Sequence, residues 1–257
     1  MKPLVVANWK MNPNSAATAR ALFGAVARGV ARVRGVEVAV APPFPYLGLF
    51  RRGERRLTLA AQDVFWQPRG PYTGEVSSPM LADLGVRYVI IGHSERRRLG
   101  ESEEAINRKV KAALAAGLHA IVAICEEARE SEEVTPQFLS RQLSSALAGV
   151  PRAKLRNLVV AYEPVWAIST APGSKPDSSD HATRRAIYIR KLLTKFLGSR
   201  TANAIRILYG GSVTAKNAAS FLAHDIRGME GLLVGGSSLS AEEFVRIVQS
   251  VAAHRRQ

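Results

Sequence analysis

Five places in the chain join a residue suited to acid–base or anion chemistry to the end of a short apolar run. The run at 4–8 leads into Asn8 and Lys10, and "RYVIIG" (87–92) leads into His93, Ser94 and Glu95. "NLVVAY" (157–162) leads into Glu163, "AIRILY" (204–209) into Gly210, Gly211 and Ser212, and the run at 231–235 ends on Gly235 and Gly236. Each feature alone has an ordinary use as a solvated lysine, a capped histidine, an ion-paired acid or a tight turn. Taken as one site, they define a chemistry. Backbone N–H groups at Gly211, Ser212, Gly235 and Gly236 can cradle a phosphate, because glycine permits close approach. A carboxylate without a metal partner can take a proton from carbon beside a carbonyl. An imidazole at a helix start is expected to stay neutral and donate a hydrogen bond. A lysine can stabilise the oxyanion of an enediolate. No His, Cys and Asp cluster has metal-ligand spacing, and no nicotinamide or flavin fingerprint is present. The expected chemistry is proton transfer on a small phosphorylated carbonyl compound, with no cofactor.

For those residues to meet, the apolar runs must be parallel strands whose ends share one side. Eight such runs occur, at 4–8, 36–41, 57–62, 87–92, 119–124, 157–162, 204–209 and 231–235. Most are nearly unbroken, as strands covered on both faces are. Amphipathic stretches at 15–33, 102–117, 182–198 and 241–254 lie between or after them, with Ser or Asn at the start of the first two and Gly117 and Gly198 as stops. The alternation predicts an α/β fold, a (β/α)8 barrel forming a single domain over residues 1–257, with its working residues at the strand ends. An open doubly wound sheet is the rival, weakened because no GxGxxG follows the first strand.

Composition narrows the partners. The 257-residue chain carries a formal charge of +15, with arginine outnumbering lysine 27 to 9. The basic clusters at 51–56 and 95–98 contain glutamate and lack interleaved aromatics, which favours solvated faces and anion steering over nucleic-acid binding. Cys125 is the only cysteine, so no intrachain disulfide forms, and a reducing, cytoplasmic setting is expected. The first apolar run is too short for a signal peptide, and no stretch approaches the roughly 20 apolar residues that span a membrane.

The motifs "ANWKMN" (7–12), "GPYTGEVS" (70–77), "IIGHSERR" (90–97), "AYEPVWAI" (161–168), "YGGSV" (209–213) and "LLVGGSSL" (232–239) resemble, in order along essentially the whole chain, those of the triosephosphate isomerase family. The resemblance implies a TIM barrel that interconverts dihydroxyacetone phosphate and glyceraldehyde 3-phosphate without a cofactor, in glycolysis and gluconeogenesis. It implies that Glu163 is the base, His93 the neutral electrophile and Lys10 the electrostatic stabiliser. Asn8 would hold the substrate beside Lys10, and Glu95 would fix Lys10. The phosphate would sit on Ser212 and the backbone of Gly211, Gly235 and Gly236, with Ser169 adding a contact from the loop after the sixth strand. The "GPYTGEVS" loop, with Thr73 and Glu75 near its tip, would insert into a second copy of the chain to make a homodimer. Three departures from the family pattern stand out. "AISTAP" replaces the usual "AIGTGK", placing Ser169, Ala171 and Pro172 in that loop. "AICE" replaces "CIGE", so Ala123 stands for the cysteine and Cys125 for the glycine. "MEG" replaces "DG" before the eighth strand. Two other readings remain compatible with these residues: a barrel enzyme for another phosphorylated sugar, and a catalytically weak binding protein that uses the basic surface.

Overall fold

All eight apolar runs form strands in the computed structural model, which describes residues 1–50, 57–127, 135–168, 176–222 and 228–254. They are β1 (Leu4–Asn8), β2 (Glu37–Ala41), β3 (Leu57–Ala61), β4 (Val86–Ile91), β5 (His119–Glu126), β6 (Leu158–Pro164), β7 (Arg206–Tyr209) and β8 (Gly231–Val234). Each pairs in parallel with its sequence neighbours, and β8 closes on β1, so the sheet is a closed barrel in chain order. The open-sheet rival is thereby set aside. Alternation along each strand divides the core in two. Val6, Ala39, Ile90, Ile121, Val159, Leu208 and Leu233 pack on one another without any helix residue, which places them inside the barrel. Val5, Val40, Val89, Val122 and Val160 join a second cluster with helix residues such as Phe23, Ile106, Leu143, Ile189 and Phe244, which places them outside.

The helices are α1 (Ala16–Val30), α2 (Phe44–Leu47), α3 (Ser78–Asp83), α4 (Ser94–Arg98), α5 (Glu103–Ala115), α6 (Thr135–Leu147), α7 (Ser179–Leu197), α8 (Ser199–Ala202) and α9 (Ala241–His254). Ser15 and Ser102 cap α1 and α5 as expected, each accepting an N–H three residues on. Helix α7 starts three residues earlier than the sequence suggests, because Ser178 accepts the His181 N–H and caps it there. Helix α6 has no counterpart in the sequence reading. Its Leu139, Leu143, Ala146 and Leu147 nevertheless follow helical spacing and are buried.

The strand bounds differ in two places that matter. Gly92 has a left-handed φ of +74°, which ends β4 at Ile91 and turns the chain toward His93. β6 continues to Pro164, because β5 pairs with it residue for residue as far as Glu126↔Pro164. Glu163 is therefore held within a strand, on the barrel-inward series Val159, Ala161, Glu163.

At the opposite mouth, charge closes the barrel. Arg206 donates to Glu37 Oε2 and to the Tyr88 hydroxyl, and Tyr88 donates to Glu37 Oε1, each at 2.7 Å. His119, the first residue of β5, lies with its ring 5.0 Å from that of Tyr88. Burial, with the Arg87 and Arg206 charges behind it, pushes the His119 pKa down to about 4. The folded chain thus holds this imidazole neutral, whereas the unfolded chain protonates it below about pH 6.5. Stability from this group is complete above that pH and is lost as pH falls toward about 4. Solvent screening of a partly buried ring leaves about 1–2 kcal/mol. In urea unfolding at pH 7.5 and 4.5, His119→Gln is expected to lose less stability than the parent by that amount. Equal losses would rule out this role.

Candidate active site

The C-terminal ends of the strands bring Asn8, Lys10, His93, Gly210, Gly211, Ser212, Gly235 and Gly236 to one cleft. Glu163, 1% exposed, lies behind the cleft, against His93 and Gly210. One carboxylate oxygen, Oε2, accepts the Ser94 backbone N–H at 3.0 Å. The other, Oε1, lies 3.3 Å from His93 Nε2 and accepts no hydrogen bond from the described residues. The carboxylate is thus held at one oxygen, while the other is buried with no donor among the described residues. Gly210 makes room for it: a Cβ there would stand 3.0 Å from Glu163 Cγ and 3.2 Å from the Tyr162 carbonyl.

Each residue of "GHSER" has a separate job in this arrangement. Gly92 makes the turn. His93 caps α4 through Nδ1, which accepts the Glu95 N–H at 3.2 Å. A ring nitrogen that accepts carries no proton, so the proton sits on Nε2 and the ring is a neutral donor on its cleft side. Ser94 supplies the N–H for Glu163. Glu95 accepts Lys10 Nζ at 2.7 Å, which the resemblance had implied. Arg96 reaches Asp63 at 3.0 Å. Arg97 ties β4 to β5 by donating to the Gly92 and Ala123 carbonyls at 2.8 and 3.3 Å.

Lys10 is in the left-handed region at φ +54°, a conformation that a non-glycine residue keeps only when its surroundings fix it. Those surroundings are present. Its N–H donates to Asn8 Oδ1 at 3.1 Å, its carbonyl accepts Gln62 Nε2 at 2.8 Å, and Gln62 also donates to the Ala41 carbonyl at 2.9 Å. Asn8 and Gln62 therefore aim the ammonium group into the cleft. Gln62 was not singled out from sequence, and its position at the end of β3 is the signal that could have found it.

At the far end of the cleft, Gly211 packs so closely on Tyr209 that a Cβ would meet the phenol oxygen at 2.3 Å. Among the described residues, and apart from its chain neighbours, no atom lies within 4 Å of where a Cβ of Gly236 would stand, so the space beside that backbone is open. Ser212 lines the cleft, but its N–H and hydroxyl both donate to the Ala167 carbonyl, at 3.2 and 2.6 Å. Its donors are thus engaged at the base of the loop after β6. Ser169, Ala171 and Pro172 lie outside the described residues.

Thr73 and Glu75 do not line the cleft. They are exposed on a loop shaped by left-handed Gly70 and Gly74. Tyr72 beside them is 41% exposed while its ring packs 4.7 Å from Phe65. Two further apolar side chains stand out in solvent, Met11 beside Lys10 at 92% exposure and Leu99 just after α4 at 80%.

Beneath the cleft, Glu126 accepts from Tyr162 and Arg185, which locks β5, β6 and α7 together under Glu163. Burial, together with the neighbouring Glu126 charge, pushes the Tyr162 pKa upward, so the phenol stays a donor. The glutamate of "MEG", Glu230, accepts from Arg190 at 2.6 Å and from the Ile207 N–H at 3.2 Å. That departure is a structural brace for β7 and is remote from the chemistry.

A closed parallel barrel with a carboxylate, a neutral imidazole and an ammonium group at its C-terminal mouth defines a (β/α)8-barrel enzyme. Comparison with known proteins specifies which kind. The family model described as triosephosphate isomerase matches residues 3–251. The chain is 42% identical to the triosephosphate isomerase of Geotalea uraniireducens over 252 residues, covering 96% of this chain and 98% of that protein. It is 44% identical to that of Citrifermentans bemidjiense over 254 residues, with the same coverage. It is 40% identical to that of Carboxydothermus hydrogenoformans over 252 residues, again covering 96% and 98%. The chain belongs to the triosephosphate isomerase family.

Proposed function

We propose the following division of labour for the isomerisation that this family performs, the interconversion of dihydroxyacetone phosphate and glyceraldehyde 3-phosphate in glycolysis and gluconeogenesis. The phosphate lies against the backbone of Gly211, Gly235 and Gly236. Ser212 exchanges its bonds to Ala167 for the phosphate, and Ser169 closes over it. This places the carbonyl carbon and its neighbour between His93, Lys10 and Glu163, with Asn8 lining the same wall. Glu163 takes a proton from the carbon beside the carbonyl. Negative charge grows on the oxygens of the resulting enediolate. Lys10 stabilises it as a fixed positive charge, and His93 donates from Nε2. Glu163 then returns the proton to the adjacent carbon. Between these two steps the hydroxyl proton of one enediolate oxygen has to reach the other, and His93 relays it, giving its Nε2 proton to one oxygen and taking a proton back from the other, so that both His93 and Glu163 end the cycle as they began.

The observation that carries this reading is the state of Glu163: buried, held at Oε2 by the Ser94 N–H, and unbonded at Oε1 beside His93 Nε2. Such an oxygen has no donor among the described residues to give up when Glu163 moves against the substrate and accepts its proton. The basic surface supports the same substrate class, since a charge of +15 steers a small dianion toward the chain.

The reading extends to assembly and location. The exposed loop bearing Tyr72, Thr73 and Glu75 inserts into a second copy, and Met11 and Leu99 become covered in the homodimer. The working environment is the cytoplasm. Among the described residues no helix is long and apolar enough to cross a membrane. A coupled assay with glyceraldehyde 3-phosphate, run beside light scattering at micromolar concentration, tests both claims. Turnover in a particle of twice the chain mass is expected. Full turnover in a particle of one chain mass would overturn the dimer. Turnover of another sugar phosphate in preference to the triose would overturn the substrate.

A further inference from the structure

A lysine occupies the buried stripe of α5. Ile106, Val110, Ala113 and Leu114 mark that stripe at helical spacing, and Lys109 falls within it, its side chain 4% exposed. A buried ammonium group is costly unless opposite charge meets it. Lys109 Nζ donates to both oxygens of Asp63, at 2.7 and 2.8 Å, and to Glu101 Oε1. Arg96 completes the set, with one guanidinium nitrogen 3.0 Å from Asp63 Oδ2 and Nε 3.7 Å from Glu101 Oε1. Two carboxylates and two cations thus form one neutral cluster. We infer that Asp63 and Lys109 are positioning residues for Lys10: the cluster ties the end of β3 and helix α4 to α5, and so fixes Gln62 and Glu95, the side chains that aim the Lys10 ammonium group. The inference rests on Lys10 being the stabiliser of the enediolate.

Chain adjacency links the cluster to Lys10. Gln62, which donates to the Lys10 carbonyl at 2.8 Å, is followed by Asp63. Glu95, which accepts Lys10 Nζ at 2.7 Å, is followed by Arg96. One support comes from the end of β3 and the other from α4, and the Asp63–Arg96 pair joins them directly. Neither support is secure alone. Helix α4 has five residues, too few to hold by its own hydrogen bonds, and the Glu95 side chain is 42% exposed. Lys109 supplies the fixed point, because α5 runs for 13 residues and packs into the core through Ile106, Val110 and Leu114.

The strained backbone of Lys10 makes it sensitive to such a tie. Its φ of +54° persists only under outside constraint, so slack at Gln62 is passed to the side chain. Slack at Glu95 acts on the ammonium group itself. A cluster that served α5 alone would stabilise the fold and leave Lys10 untouched, and the two cases separate in a double-mutant cycle.

Asp63→Asn keeps the size of the side chain. Its amide oxygen can still accept from Lys109, but without the charge it no longer holds both cations. This variant is expected to lower kcat/KM about three- to tenfold through looser aim. Made in the Lys10→Met background, the same substitution should change kcat/KM by less than about twofold, because the group it aims is gone. An Asp63→Asn enzyme as active as the parent would overturn the inference. So would an equal loss in both backgrounds, which would mark the cluster as a brace for the fold alone. If Asp63→Asn does not fold, Arg96→Gln runs the same cycle with the same expected outcomes. The Arg96 side chain is 43% exposed, and its removal leaves Lys109 between both carboxylates. The failure of the underlying reading looks different: Lys10→Met would then match the parent before Asp63 is touched.

Discussion

Glu163→Gln lowers kcat by about 10²–10⁴-fold or more, with the fold unchanged. The amide keeps the volume of the carboxylate, and its oxygen can still accept the Ser94 N–H that holds Oε2 at 3.0 Å. What disappears is the ability of Oε1 to accept a proton. His93 and Lys10 stay in place, so residual activity measures what positioning and electrostatics achieve without a base. The check is steady-state turnover of glyceraldehyde 3-phosphate by parent and variant, with thermal unfolding to show that both are folded. A variant within about tenfold of the parent, well short of the range for a general base, would remove Glu163 from the role.

Lys10→Met is expected to cost about 10²–10³-fold or more in kcat/KM, the scale seen when one preorganised stabiliser of a developing oxyanion is removed. Methionine is of similar length and is asked to adopt the same left-handed backbone, which Asn8 and Gln62 fix from both sides. The variant therefore isolates the charge. It also frees Glu95, whose side chain is 42% exposed and can be solvated, so no buried carboxylate is stranded. Because Lys10 Nζ also lies near the proposed phosphate position, 3.7 Å from where a Cβ of Gly235 would stand, KM is expected to rise while kcat falls. A change in KM alone would reassign Lys10 to binding.

Much of this site is legible in the sequence, for a physical reason. Strands buried on both faces must be continuous apolar runs, so a polar residue at the end of a run marks a barrel mouth. Asn8, Lys10, His93, Glu163, Ser212 and the two glycine pairs all announce themselves in that way. The motif "GHSERR" is legible as a motif, but the separate job of each of its residues is not. The Ser94 N–H finds its partner 69 positions away, and Arg97 reaches a carbonyl on the next strand.

The same limit hides Gln62 and the surroundings of Cys125. Each side chain meets its partner across a strand pair, and that partner depends on register, which a single sequence leaves open. Cys125 meets Glu163 only because β5 and β6 stay paired to their last residues. Sequence reading marks the cysteine as a departure and cannot say what it touches. Ser212 shows the converse. Its place in the cleft is foreseen, while the engagement of both its donors by Ala167 depends on how the loop after β6 begins.

The central claim is that this barrel moves a proton between carbons through an enediolate, using one carboxylate. The most direct measurement is isomerisation of dihydroxyacetone phosphate in deuterium oxide, followed by proton NMR of product and recovered substrate. A carboxylate that carries the proton exchanges it with solvent during the lifetime of the enediolate. Deuterium is therefore expected at C2 of glyceraldehyde 3-phosphate and at the reacting carbon of recovered dihydroxyacetone phosphate, and neither should form with Glu163→Gln. Product formed at full rate with no deuterium at C2 would mean that hydrogen moves directly between the carbons, and would contradict the account.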